Sequence, residues 1–173
     1  MKPRICFYGP TGSGKTTLCR IAKEKCGGVI KKIAAPLYEF QALFYSRLGK
    51  SISGQDGELL QFIGEKIERE CPGWLAARFL DEVARHADSI VLNDDCRINS
   101  YVYLKQAGFV FVKVATRKAI RESRLRRDHS ALNRKHITEF GFDRFEQNFV
   151  IDNNGSLASA AAQIDFVLGE LVG

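Results

Sequence analysis

Residues 9–17 read GPTGSGKTT and contain the pattern GxxxxGK[ST], ending on Lys15 and Thr16. The chemistry of that spacing is phosphate binding. Glycines let the backbone curl until successive N–H groups face phosphate oxygens, and a helix opening directly behind adds the positive end of its dipole. Lys15 would reach the outer phosphates of a nucleotide, and the Thr16 hydroxyl would hold magnesium. Gly9, Gly12, Ser13, Gly14, Lys15, Thr16 and Thr17 are therefore the candidate ATP-binding residues of this loop. The acidic end of SIVLNDDCR is the second piece such a site needs, an apolar strand delivering a carboxylate that can hold the metal through Thr16 and water. Asp94 and Asp95 both qualify. Arg97, two residues beyond Asp95, could clamp a phosphoryl oxygen with its planar fork.

A third group is basic. Of the 26 Lys and Arg, eight fall between Arg117 and His136, with only two of the 20 acidic residues, so the net charge of +6 sits entirely in this segment. Arg117, Arg121 and Arg124 lie at i, i+4 and i+7 and share a helix face, with Arg127 close to the same stripe. Phosphoryl transfer needs cations around the moving group and also needs water kept out. An arginine-rich lid over about residues 117–136 would do both. Confinement of the charge to one segment marks a local anion site, whereas a nucleic-acid-binding protein spreads it over a face.

The elements that must position these groups are legible from periodicity. RICFYG reads as a first strand and the stretch after Lys15 as a first helix. GVIKKIAA reads as a second strand, ended by Pro36. Helical spacing of Leu37, Phe40, Leu43, Phe44 and Leu48 predicts an amphipathic helix, and GKSISGQDG a mobile linker. ELLQFIGEKIERE and GWLAARFLDEVARHA are two more helices divided by CPG. SIVLNDD is a buried strand, INSYVYLKQAG a helix closed by Gly108, FVFVKVAT a strand and NFVI a short last one. After the turn DNNG, SLASAAAQIDFVLGELV is a helix with an apolar stripe of Leu157, Ala161, Ile164, Leu168 and Leu171. Phe142, Phe145 and Phe149 are assigned to the core. Trp74 could stack on a base or equally pack the interior. Alternating strands and helices imply parallel strands, right-handed crossovers and ligands at the strands' carboxyl ends. The expected fold is thus a three-layer α/β/α P-loop architecture with a five-stranded parallel sheet.

The 173 residues suit one domain, with acceptor-side helices at about 36–88, and 45% hydrophobic with 27% charged residues is a soluble composition. No apolar run approaches a membrane span, and ICFY is too short for a secretory signal core. Five scattered cysteines without a CxxC pair predict reduced thiols in a cytoplasm.

Several of these segments together carry a resemblance. RLRRDHSALNRKHITEFGFDRFEQNFVIDNNGSL resembles the closing part of the phage-type deoxynucleoside monophosphate kinases, in which an arginine-rich lid is followed by a His-Ile-Thr/Ser-Glu element, a strand and an Asn-Asn-Gly-Ser-Leu turn. IAAPLYEF is similar to that family's Ala-x-Pro-Leu helix entry, LLQFIG to its Leu-Gln-x-x-Gly helix, and DDCR to its Asp-x-Arg. The resemblance runs in patches from Gly9 to about Leu157. It implies transfer of the γ-phosphoryl of ATP, with Mg2+, to a (deoxy)nucleoside monophosphate. Arg124 and Arg127 would be lid arginines. Asn153 and Gly155 would lie near the donor base, and Ala35, Pro36, Gln61 and Trp74 would face the acceptor. Asp95 and Arg97 would sit between the two sites, with Asp95 joining Thr16 at the metal. Where the family often has an arginine before the Leu-Gln helix, this chain has Gly57 and Glu58. The expected partners are ATP and a nucleoside monophosphate, with no membrane or nucleic acid, and the chain acting as a monomer or homodimer. Two rivals stand beside this reading. One is a small-molecule kinase of the dephospho-coenzyme A kinase type, in which Asp95 would be a base. The other is a nucleotide-switched nucleic-acid-binding module.

Overall fold

The computed structural model describes residues 2–127 and 141–172. Its sheet has five strands, β1 (Arg4–Tyr8), β2 (Val29–Ile30), β3 (Val91–Asn93), β4 (Val110–Ala115) and β5 (Phe149–Asp152), in the order β2-β3-β1-β4-β5. Every pairing is parallel. Parallel neighbours cannot be joined by tight turns, so each connection carries a helix across a face of the sheet. Among the described residues the helices are α1 (Lys15–Cys26), α2 (Ala35–Arg47), α3 (Gly57–Glu70), α4 (Trp74–Ala84), α5 (Ile98–Gln106), α6 (Lys118–Arg127) and, after the last strand, α7 (Leu157–Val172). The three-layer α/β/α expectation holds.

Alternation along the strands builds two cores. On β1, Ile5 and Phe7 point to one face, where Leu92, Val112, Val114 and Ile151 join Leu18, Cys19 and Ala22 of α1 and Ile164, Val167 and Leu168 of α7. Cys6 and Tyr8 point to the other, against Phe111, Phe79 and Val83 of α4, Tyr101 and Leu104 of α5, and Phe142 and Phe145 around a short 3-10 turn. Tyr101 and Phe145 stack with ring centroids 4.2 Å apart. Phe111 is fully buried among these rings, and its truncation to alanine would cost about 3–5 kcal/mol. No helix among the described residues is long and apolar enough to cross a membrane.

Four local expectations are corrected. β2 stops at Ile30, because the amides of Ile33 and Ala34 leave the ladder for the Asp95 carboxylate, at 3.0 Å each. Pro36 therefore does not end a strand. It lies in the first turn of α2, where its missing N–H costs nothing. The α2 stripe is buried only at Leu37, while Phe40, Leu43, Phe44 and Leu48 are 42%, 54%, 45% and 55% exposed. The linker before α3 is tied down, since buried Gln41 donates to Gly54 O at 3.0 Å and accepts from Asp56 N at 2.8 Å. Asp56 also caps α3 through Leu59 N and accepts from the Tyr45 hydroxyl at 2.7 Å. On α7 the buried face is Ala160, Ile164, Val167 and Leu168, so Leu157 and Ala161 lie off it.

Candidate active site

The phosphate loop joins β1, the central strand, to α1. Its flanking strands β3 and β4 lead to opposite edges, which makes the carboxyl end of β1 the switch point where ligands of open α/β sheets bind. Two glycines there are demanded by their neighbours. Gly14 has φ +94°, and a Cβ on it would collide with the Asn153 side-chain amide; Gly12 has φ +78°, and a Cβ would lie 3.0 Å from the Arg121 carbonyl. The loop is thus wedged between α6 and the turn after β5.

One carbonyl organises this wedge. Ser13 O accepts from Asn153 Nδ2 at 2.8 Å, Thr116 Oγ1 at 3.0 Å and Arg124 Nη1 at 3.4 Å. Arg124 Nη2 also donates to Asn153 O at 3.1 Å, and Arg121 Nη1 to Thr11 O at 3.4 Å. Arg117 N donates to Asn154 Oδ1 at 2.7 Å, tying the start of α6 to the same turn. Arg121 and Arg124 of the arginine face read from the sequence therefore lie along the phosphate loop. Arg127 is the last residue of α6, and the remainder of the lid, residues 128–136, lies outside the described residues. Asn153 is buried in the clasp, whereas Gly155 is exposed in the turn beyond it. Ser13 is fully buried, and its Oγ has no hydrogen-bond partner among the described residues. Lys15 Nζ donates to Gly9 O at 2.7 Å and Pro10 O at 3.1 Å. Thr16 and Thr17 are exposed on the first turn of α1.

Beside the loop, the end of β3 carries the acidic pair. Leu92 and Cys19 share one core, so alternation turns Asp94 toward the α1 face; it is buried and ion-paired with Lys32. Burial disfavours the Lys32 ammonium, but Asp94 outweighs that and raises its pKa. Asp95 accepts from Ile33 N, Ala34 N and, at 2.6 Å, Asn93 Nδ2. Burial pushes its carboxyl up against the opposing pull of those three donors and of Lys32. Tyr38 of α2 is likewise pushed up, by burial and then by Asp95. Arg97 begins α5, its N–H donating to Ser100 Oγ at 3.0 Å.

The acceptor candidates are more dispersed. Ala35 and Pro36 open α2 directly after the two amides held by Asp95. The half-buried Gln61 on α3 donates along its own helix to Glu65 Oε1 at 2.9 Å. Trp74 at the start of α4 packs against the core, with the Arg78 guanidinium 5.8 Å from its ring centroid. Lys32, Tyr38 and Thr116 were not singled out by the sequence reading. Lys31-Lys32 at a strand's carboxyl end was a visible sign, whereas nothing local marks Thr116.

The residues present fit magnesium of the kind held by substrate phosphates. Such an ion needs only one or two protein oxygens, and no cluster of three or more His, Cys, Asp or Glu occurs among the described residues. Exposed Thr16, with Asp94 or Asp95, would hold it directly or through water; Asp94 is ion-paired with Lys32, and Asp95 accepts from backbone amides.

No family model matches the chain, and no curated protein matches it at a significant level. Solved structures do. A shikimate kinase from Acinetobacter baumannii in complex with shikimate is 20% identical, covering 99% of this chain and 94% of that one with a TM-score of 0.60. A dephospho-CoA kinase from Campylobacter jejuni is 16% identical over 98% and 97%, with a TM-score of 0.56. A sugar kinase from Janibacter sp. is 15% identical over 98% and 94%, with a TM-score of 0.54. The chain shares the fold of these kinases across nearly its whole length, and their names carry three different acceptors.

Proposed function

We propose that the protein is an ATP-dependent kinase that moves the γ-phosphoryl, with magnesium, onto the phosphate of a (deoxy)nucleoside monophosphate. The observation that carries phosphoryl transfer is the clasped phosphate loop at the carboxyl end of the central strand, with the α6 arginines laid along it. Such a reaction is catalysed by positioning and charge neutralisation. An acceptor phosphate is already an anion and needs no strong base. Engagement of Asp94 by Lys32 and of Asp95 by two backbone amides favours that acceptor.

One observation favours a second reading. The raised carboxyl of Asp95 is suited to taking a proton, as transfer to a hydroxyl would require, and the structural relatives are kinases named for shikimate, dephospho-CoA and sugars. A product assay separates the two. ATP is incubated with nucleoside and deoxynucleoside monophosphates, shikimate, dephospho-CoA and simple sugars, and the phosphorylated products are identified. A diphosphate from one or a few monophosphates is the expected result. Turnover of a hydroxyl acceptor alone makes Asp95 the base.

A further inference from the structure

β2 and β3 pair side by side, and just past their carboxyl ends two lysines, Lys31 and Lys32, face two aspartates, Asp94 and Asp95. The lysines divide. Lys31 Nζ donates to Glu82 of α4 at 2.6 Å and belongs to the scaffold. Lys32 turns instead to Asp94, and that pair is lopsided: the Asp94 side chain is 1% exposed and that of Lys32 32%. The carboxylate is inside, and the lysine side chain is partly exposed. An ammonium has three N–H donors, and Asp94 is the one partner of Lys32 Nζ among the described residues. The backbone beneath is anchored on both sides, since Lys31 O accepts from Asn93 Nδ2 at 3.0 Å and the amides of Ile33 and Ala34 donate to Asp95. Lys32 therefore projects from a fixed base between the strand end that holds the acids and the start of α2.

Resting on the phosphoryl-transfer reading above, we propose that Lys32 is the ligand for the anionic group of the acceptor, a phosphate monoester, and that Asp94 is the positioning residue that aims it. A buried carboxylate holds the ammonium at one point and leaves its remaining donors to the crevice. Hydrogen bonds between charged groups are the strong ones, so this contact discriminates acceptors with an anion from those without. A cation at this position also balances the charge that the transferred group brings against Asp94 and Asp95.

The test measures binding by calorimetry for wild type, Lys32→Met, Lys32→Arg and Asp94→Asn. The probes are the four deoxynucleoside 5′-monophosphates, their unphosphorylated nucleosides and shikimate. The expected result is that Lys32→Met weakens binding of the preferred monophosphate at least about tenfold, Lys32→Arg recovers most of it, and Asp94→Asn loses roughly threefold through misaiming. Nucleoside affinity and the KM for ATP stay within about twofold in the two Lys32 variants. Monophosphate binding by Lys32→Met at the wild-type level, or an equal loss for nucleosides and ATP, overturns the proposal. If Lys32→Met does not fold, the double variant Lys32→Met with Asp94→Asn removes both charges and is read by the comparison of monophosphates with nucleosides alone. Wild-type binding of shikimate and not of monophosphates, lost in Lys32→Met, sinks the monophosphate reading while supporting Lys32 as the anion ligand. No binding of any anionic probe by wild type overturns the assignment of Lys32.

Discussion

The donor side and the acceptor side of the crevice are held in different ways. Around the phosphate loop the contacts run to backbone: Ser13 O takes three donors, Arg124 spans two carbonyls, and Gly12 and Gly14 have no room for a side chain. Around α2, α3 and α4 side chains also meet one another. Gln41, Tyr45 and Asp56 fix the linker, Lys31, Arg85 and His86 gather on Glu82, and three large apolar side chains of α2, with Leu48 just past it, are exposed. A polyphosphate has one shape, and backbone geometry can meet it. Acceptors differ, and side chains are the part of a fold that changes most readily to suit them.

Substitutions can break this contrast or sharpen it. The largest effect is expected at Lys15, where Lys15→Ala should lower turnover at least about a thousandfold by removing a phosphate ligand in the transition state. The melting temperature should stay close to wild type. A folded Lys15→Ala protein with near-normal turnover would remove the phosphate loop from the chemistry. Gly14→Ala comes next. The positive φ and the collision with Asn153 predict a stability loss of about 2–3 kcal/mol by urea titration, with a raised KM for ATP. Unchanged ATP binding in that variant would mean that the clasp does not shape the donor site. Trp74→Ala tests the other side: removal of a ring packed on the core should cost about 2–4 kcal/mol, and if the ring also faces the acceptor, the acceptor's KM should rise more than that of ATP. Equal changes for both substrates would make Trp74 a core residue alone.

The smallest effect concerns acid. Lys31, with His86 and Arg85, holds the Glu82 carboxyl at about 2 against an ordinary 4.5. A depressed carboxylate stabilises the fold above pH 4.5 and loses that contribution as pH falls toward about 2. Glu82→Gln should therefore flatten the decline of stability with acid in this window, followed by denaturant midpoints against pH. An unaltered slope would show that the network is screened by solvent.

Legibility followed the same division. The loop from Gly9 to Thr17, the five parallel strands and the arginine face of α6 rest on short-range rules of spacing and alternation, and a single sequence displays those. What Asp94 and Asp95 touch depends on which face each side chain takes and on the segment just past β2, 62 residues away. Exposure of Phe40, Leu43, Phe44 and Leu48 was invisible because periodicity gives a helix its apolar stripe without saying whether anything covers it. The shortness of β2 had a similar origin, since Asp95 competes for its amides from a distant segment.

The clasp on Ser13 has a consequence for how the protein is made. Its firmest donor, Asn153, lies 140 residues beyond the carbonyl it holds, and the core behind the loop is completed by α7, which packs with α1. During synthesis the glycine-rich segment leaves the ribosome early and waits, at about 5–20 residues per second, on the order of ten seconds for the strand and turn that will brace it. Until then Leu18, Cys19 and Ala22 lack the α7 residues they pack against in the finished fold. A nascent chain halted before β5 would present an unbraced phosphate loop and half a core, and is the species for which chaperones would compete.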